Sequence, residues 1–195
     1  MPAAILRKKY LVANNPYLLY DRFDIARAAG AVNNTQVDGI GTRRTVTDTE
    51  SKLSIANGVG VFSGGKAVPS FANPALSHPS ITRALASYRA LIYKIVNGSA
   101  TNIWRIGYSA SSNGAVDRQA FHLNGTTLAA VFNSTTVVNV ALMPASTEYQ
   151  LYVIPRTNGA FYLIKGGLFT YVTLLYHDAV SSAASLFPSV GNYSS

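Results

Sequence analysis

Glu148-Tyr-Gln-Leu-Tyr-Val-Ile-Pro155, then Arg156-Thr-Asn-Gly159, then Ala160-Phe-Tyr-Leu-Ile-Lys-Gly-Gly167, then Phe169-Thr-Tyr-Val-Thr-Leu-Leu-Tyr176 is the stretch that decides the fold class. Three runs rich in β-branched and aromatic residues are separated by turn residues, the pattern of an antiparallel meander. Asn158-Gly159 has the left-handed tolerance that a tight hairpin needs, and Pro155 closes the first run by removing a donor. In that first run Tyr149, Leu151 and Val153 point one way, Tyr152 and Ile154 the other. A solvated sheet face alternates with polar residues, so the second face is expected to be covered.

Working outward, the same alternation recurs. Strands are expected near Leu18 to Phe23, Lys52 to Ala56, Val59 to Phe62, Ile103 to Tyr108, Arg118 to Leu123, Leu128 to Phe132 and Thr136 to Leu142. Asn57-Gly58 and Asn124-Gly125 supply turns. Ala28 to Thr47 reads as a long surface loop, and the proline-bearing Gly64 to Pro79 as irregular chain. Ser80 to Val96 carries both helical and strand periodicity; a strand from about Ser87, after one helical turn, is the expectation. Many short strands at this spacing define an all-β antiparallel sandwich or jelly roll. Residues 17–195 form that domain, and residues 1–16 form an N-terminal extended arm ended by Asn14-Asn15-Pro16.

The chain has 195 residues, of which 48% are hydrophobic and 12% charged. The charged share is half of the usual ~25%, which argues against disorder and for a surface partly hidden against partners. Net charge is +8 and the pI about 9.8. The cations are scattered, with the densest cluster at Arg7-Lys8-Lys9, so nucleic acid is not the expected partner. Cysteine is absent, which excludes a disulfide framework and thiolate metal sites. No apolar run approaches 18 residues, so no membrane span is expected. The start, apolar first and basic after, has the wrong order for an ordinary secretion signal.

Candidate chemistry is sparse. Gly60-Val-Phe-Ser-Gly-Gly65-Lys66 matches seven positions of a phosphate-binding loop, but Ala67 stands where a hydroxyl should hold magnesium and Pro69 follows where a helix should start. Asp48 and Glu50, two apart in a strand, would share a face as a glycoside hydrolase requires, yet a polar turn explains them as well. His78, His122 and His177 lack ligand spacing, and Asp21 with Asp24 is an incomplete calcium set. No catalytic, cofactor or metal residue is assigned. Twelve tyrosines beside one tryptophan, Trp104, serve either a core and subunit interface or a sugar-binding surface.

Asp21-Arg22-Phe23, Arg44-Thr-Val-Thr-Asp-Thr-Glu-Ser-Lys-Leu-Ser54, and Tyr162-Leu-Ile-Lys-Gly-Gly167 with Phe169-Thr170 and Thr173-Leu-Leu175 resemble concanavalin A-like (laminin G-like) jelly-roll domains. The resemblance is to the subgroup found in phage structural and tail proteins and bacterial surface proteins, and covers residues 18 to 193. It implies two curved antiparallel sheets, with a role in glycan or surface attachment or as a structural module. Related domains continue past the segment like Leu186 to Tyr193 into one more strand, and the arm here is extra. The arm's strand-like Ile5 to Val12 is expected to fill an open edge, in its own subunit or a neighbour. Ile5, Arg7, Lys8, Lys9, Tyr10 and Val12 are the expected partner-binding residues. The expected function is a non-enzymatic structural component of a virion or extracellular assembly, of phage decoration, tail or fibre type, most simply a homo-oligomer. The alternatives are a carbohydrate-binding module and a glycoside hydrolase.

Overall fold

The computed structural model describes residues 18–49, 51–63, 75–78, 81–83, 86, 88–98, 103–110, 118–132, 136–180 and 185–192. The arm, Glu50 and most of the proline-rich stretch lie outside them. Among the described residues there is no helix. The strands are β1 (Thr45–Thr47), β2 (Leu53–Ala56), β3 (Val59–Phe62), β4 (Ala75–Ser77), β5 (Leu91–Val96), β6 (Ile103–Ser109) and β7 (Arg118–Asn124). They continue as β8 (Thr127–Phe132), β9 (Thr136–Leu142), β10 (Glu148–Pro155), β11 (Ala160–Gly166), β12 (Phe169–Asp178) and β13 (Phe187–Asn192).

Antiparallel pairing builds a seven-stranded sheet, β1-β4-β13-β6-β7-β8-β9, a four-stranded sheet, β12-β11-β10-β5, and the β2–β3 hairpin. The chain enters the small sheet at β5, makes the β6–β9 meander of the large one, and returns for β10 to β12. The two sheets bury their facing sides against each other, β10 against β7 and β12 against β9. Strict alternation produces this: Tyr149, Leu151 and Val153 of β10 and Ala160, Tyr162 and Ile164 of β11 are buried, with the residues between them half-buried or exposed. Across the interface Phe121 meets Tyr162 edge-on, centroids 5.4 Å apart, and Phe132 stacks on Tyr176 at 5.6 Å. The hairpin closes one end, with Leu53 and Ile55 in the core and Phe62 edge-on to Trp104.

Several expectations need correction. Leu18 to Phe23 forms no strand: only Tyr20 bridges, to Ile40, and Phe23 turns left-handed at φ 55°. The stretch from Ala28 to Thr47 is no mere surface loop, because Val32, Val37, Asp38 and Arg44 are buried and β1 begins at Thr45. β4 lies inside the stretch read as irregular. The strand expected from Ser87 starts at Leu91, since Tyr88 is left-handed (φ 66°) and donates its amide to Pro155. Phe187–Asn192 has β4 on one side and β6 on the other, so no vacant edge lies beside the last strand. The second face of β10 is only half-buried rather than covered.

Two hairpin glycines mark where geometry is demanding. Asn57 and Gly58, at φ 52° and 76°, make the two-residue turn between Ala56 and Val59. Between β10 and β11 the loop is four residues, and Gly159 alone, at φ 96°, is left-handed next to the Asp178 carbonyl. No atom lies within 4 Å of where a Cβ on Gly58 would stand, whereas one on Gly159 would collide with the Asp178 carbonyl oxygen. In urea titrations Gly58→Ala is therefore expected to cost about 1 kcal/mol, from the backbone alone. Gly159→Ala is expected to cost about 3 kcal/mol; equal losses would contradict the packing described here.

Candidate assembly surface

Two buried polar clusters hold the sandwich's ends, and absorb residues that a sequence reader would reserve for chemistry. In the first, Arg44 is fully buried and all five of its N–H groups are used. Its Nε and Nη2 reach both oxygens of Asp21 at 2.7 and 2.6 Å, and Nη2 also reaches Asp38 at 3.1 Å. Its Nη1 donates to the Thr35 hydroxyl at 2.9 Å and the Gln36 carbonyl at 2.8 Å. Burial alone would raise the Asp38 carboxyl; the Ile25 amide and the Arg44 guanidinium outweigh it and hold it below its ordinary value. His78, buried nearby, is pushed down to about 4, by burial first, with Asp21 opposing and Arg44 assisting.

The second cluster spans both sheets. Tyr162 of β11 donates its hydroxyl to Asp178 Oδ2 at 2.9 Å, with the Val131 carbonyl of β8 at 3.3 Å. Gln119 of β7 donates to Asp178 Oδ1 at 3.4 Å and accepts from Arg83 Nε. Arg83 in turn donates to the Arg156 and Gly159 carbonyls, so one guanidinium pins the β10–β11 loop. Burial lowers Arg83 and, aided by Asp178, raises the Tyr162 phenol.

On this frame the outer face of the four-stranded sheet is partly exposed. Register places Ile92 opposite Tyr152, Tyr152 opposite Leu163 and Leu163 opposite Leu174, an apolar row across all four strands. Ile92 and Leu174 are 49% and 54% exposed. A second row is Lys94, Gln150 and Lys165, with Lys94 also paired to Glu148 at 2.9 Å. A third is Ile154, Phe161 and His177, the last two rings stacked at 4.4 Å. Arg156 extends that row, lying over both Phe161 and the exposed Tyr88 ring, whose hydroxyl meets Thr157. Cross-strand register thus gathers apolar side chains from four strands into contiguous rows on one partly exposed face.

The residues singled out from sequence fall elsewhere. Asp48 is a turn residue, accepting the Lys52 and Leu53 amides at 2.8 and 2.7 Å, and Glu50 lies outside the described residues. Asp21 is spent on Arg44 and Asp24 on Arg22, at 3.0 Å. Gly60 to Phe62 belong to a strand, and residues 64–67 lie outside the described residues. His78 is buried, His122 sits in β7 and His177 is exposed on β12, and among the described residues no group of three side chains that could hold a metal forms. The expected partner-binding residues Ile5, Arg7, Lys8, Lys9, Tyr10 and Val12 all lie outside the described residues. What sequence reading missed is the open face itself, whose signal was present in Ile92, Tyr152, Leu163 and Leu174, but only strand register brings them together. No family model and no curated protein matches this chain.

The buried clusters predict acid sensitivity. Between pH 6.5 and about 4 the unfolded chain protonates a histidine that native His78 leaves neutral, so unfolding free energy falls as pH drops through that window. Asp38 adds stability above its unfolded pKa that is lost as pH falls through its lower native value. His78→Leu is expected to flatten the first slope in urea titrations from pH 7 to 4 and leave the loss below pH 4. Arg44→Ala, which strands two carboxylates, is expected to cost about 3–5 kcal/mol.

Proposed function

We propose that this chain is a non-enzymatic structural component of a virion or extracellular assembly, of the phage decoration, tail or fibre kind. It engages its neighbours through the faces of its sandwich and through its N-terminal arm. The observation that carries the reading is the open apolar row Ile92, Tyr152, Leu163 and Leu174. The low charge content supports it, because a surface that works as contact area needs few solvated ions. The finer topology is read as a concanavalin A-like jelly roll, supported by the two facing antiparallel sheets. Drawn out as a strand, the arm would turn Ile5, Arg7, Lys9 and Leu11 one way and Leu6, Lys8, Tyr10 and Val12 the other, able to add to an open edge while Arg7 and Lys9 meet acidic groups.

A carbohydrate-binding role is favoured by one observation, the Tyr88 ring, 64% exposed and held by Arg156 and Thr157. Binding on a glycan array that is lost in Tyr88→Ala would support that role over the first. The assembly reading is tested by light scattering. The chain lacking residues 2–15 is expected to keep its β-rich circular dichroism and to form smaller assemblies than the full chain. Identical masses for the two would reject the arm's role.

A further inference from the structure

Where β10 turns into β11, the loop carries an arginine that the fold holds in place but does not pair. Arg156 is exposed, yet its guanidinium lies 4.7 Å from the centroid of the Tyr88 ring and 5.2 Å from that of Phe161. Phe161 in turn stacks on His177 at 4.4 Å. The loop is fixed from beneath: buried Arg83 donates to the Arg156 and Gly159 carbonyls, and the Arg156 amide donates to the Gly159 carbonyl at 3.0 Å. Tyr88 is fixed at both ends, its amide on the Pro155 carbonyl at 2.9 Å and its hydroxyl 3.1 Å from the Thr157 hydroxyl. A tyrosine backbone at φ 66° is strained, and such strain gathers where a side chain is aimed for use.

We propose that Arg156, Tyr88 and Thr157 form a binding site for an acidic sugar, a pyranose ring that bears a carboxylate. The inference rests on the carbohydrate-binding reading and deepens it by naming the class of sugar. Among the described residues no carboxylate pairs with Arg156. Glu148 stands at the other end of β10, ~26 Å away at ~3.3 Å per residue, and already holds Lys94. Contact with the rings engages the flat face of the guanidinium and leaves the N–H groups in its plane able to donate. That planar fork matches the two oxygens of a carboxylate. The Tyr88 and Thr157 hydroxyls share one hydrogen, so whichever donates, the other keeps a hydrogen for a ligand oxygen. Tyr88 is 64% exposed, and the ring face turned away from the guanidinium is open to the C–H side of a sugar.

An acidic peptide fits less well. Peptides that dock on sheets take up free backbone groups along an edge, whereas this loop closes on itself and spends the Arg156 amide and the Gly159 carbonyl internally. A sugar acid presents a carboxylate, hydroxyls and an apolar ring side within the span of one residue. The guanidinium, the hydroxyl pair and the Tyr88 ring are grouped in the same way. Because those groups are already held, binding has little left to order. The site is shallow, so one sugar binds with a Kd on the order of 1 mM, and several copies on one polymer multiply that affinity.

Retention of the full chain on immobilised polygalacturonate and polysialic acid tests the site, at about 150 mM salt where charges more than ~8 Å apart are screened. Retention is expected on at least one of the two, and not on polygalacturonate whose carboxylates are methyl-esterified. Arg156→Lys, which keeps the charge but not the fork, and Tyr88→Ala are each expected to weaken binding roughly tenfold with circular dichroism unchanged. Lys165→Gln removes a charge from the same face at the register of Gln150, ~20 Å from Arg156, and is expected to change binding by less than about twofold. Arg156→Lys binding like the unaltered chain, or Lys165→Gln weakening it as much, overturns the site in favour of diffuse charge. Equal retention on polyglutamate overturns it in favour of an acidic peptide. Retention that ignores esterification but is lost in Tyr88→Ala overturns the acidic class and leaves the carbohydrate reading standing. Absence of retention on both sugar acids overturns the inference, and a blank glycan array beside it ends the carbohydrate reading as well.

Discussion

The Asp178 carboxylate is the point on which the two sheets depend for their register. It stands at the end of β12, takes the Tyr162 hydroxyl from β11 and the Gln119 amide from β7, and accepts the Val180 amide at 3.0 Å. Apolar packing between two sheets is tolerant of small slides, whereas a buried carboxylate with partners in both sheets is not. Gln119 then passes the constraint to Arg83, and Arg83 to the β10–β11 loop. Breaking any one link strands a buried polar group, so the network acts as a unit.

The same economy shapes the surface. Among the described residues, the carboxylates of Asp21, Asp38 and Asp178 are buried with partners, Asp48 caps a turn, and Asp24 and Glu148 pair with Arg22 and Lys94. Acidic groups have been drawn inward or neutralised, and Lys165 and Arg156 are left to solvent on the face of the small sheet.

Strand content was largely legible from local pattern: β3, β9 and the β10–β12 meander stand where alternation and turn residues put them. The failures share a cause. Leu18 to Phe23 has strand-forming residues, but Asp21 is recruited by Arg44 from 23 positions away, and the backbone bends to deliver it. The stretch before β1 looks like a loop because its anchor, Arg44, is a charged residue, and composition alone places such residues outside. β4 is three residues long and held by neighbours on both sides, so no local signal marks it. The second apolar face of β10 was legible, but not its exposure, since whether such a face is covered depends on what else the chain places there.

The position of β13 has a consequence for how the protein comes to exist. This strand, late in the chain, lies between β4 and β6, so until residues 187–192 are made, β1 and β4 have no connection to the β6–β9 meander within their sheet. During synthesis the growing chain must hold a half-sheet with two raw edges, and closure waits on a contact more than a hundred residues long in sequence, Val190 to Leu76. Loops of that length close slowly. The ribosome-bound intermediate is therefore the stage at which this molecule is most exposed to the wrong neighbour.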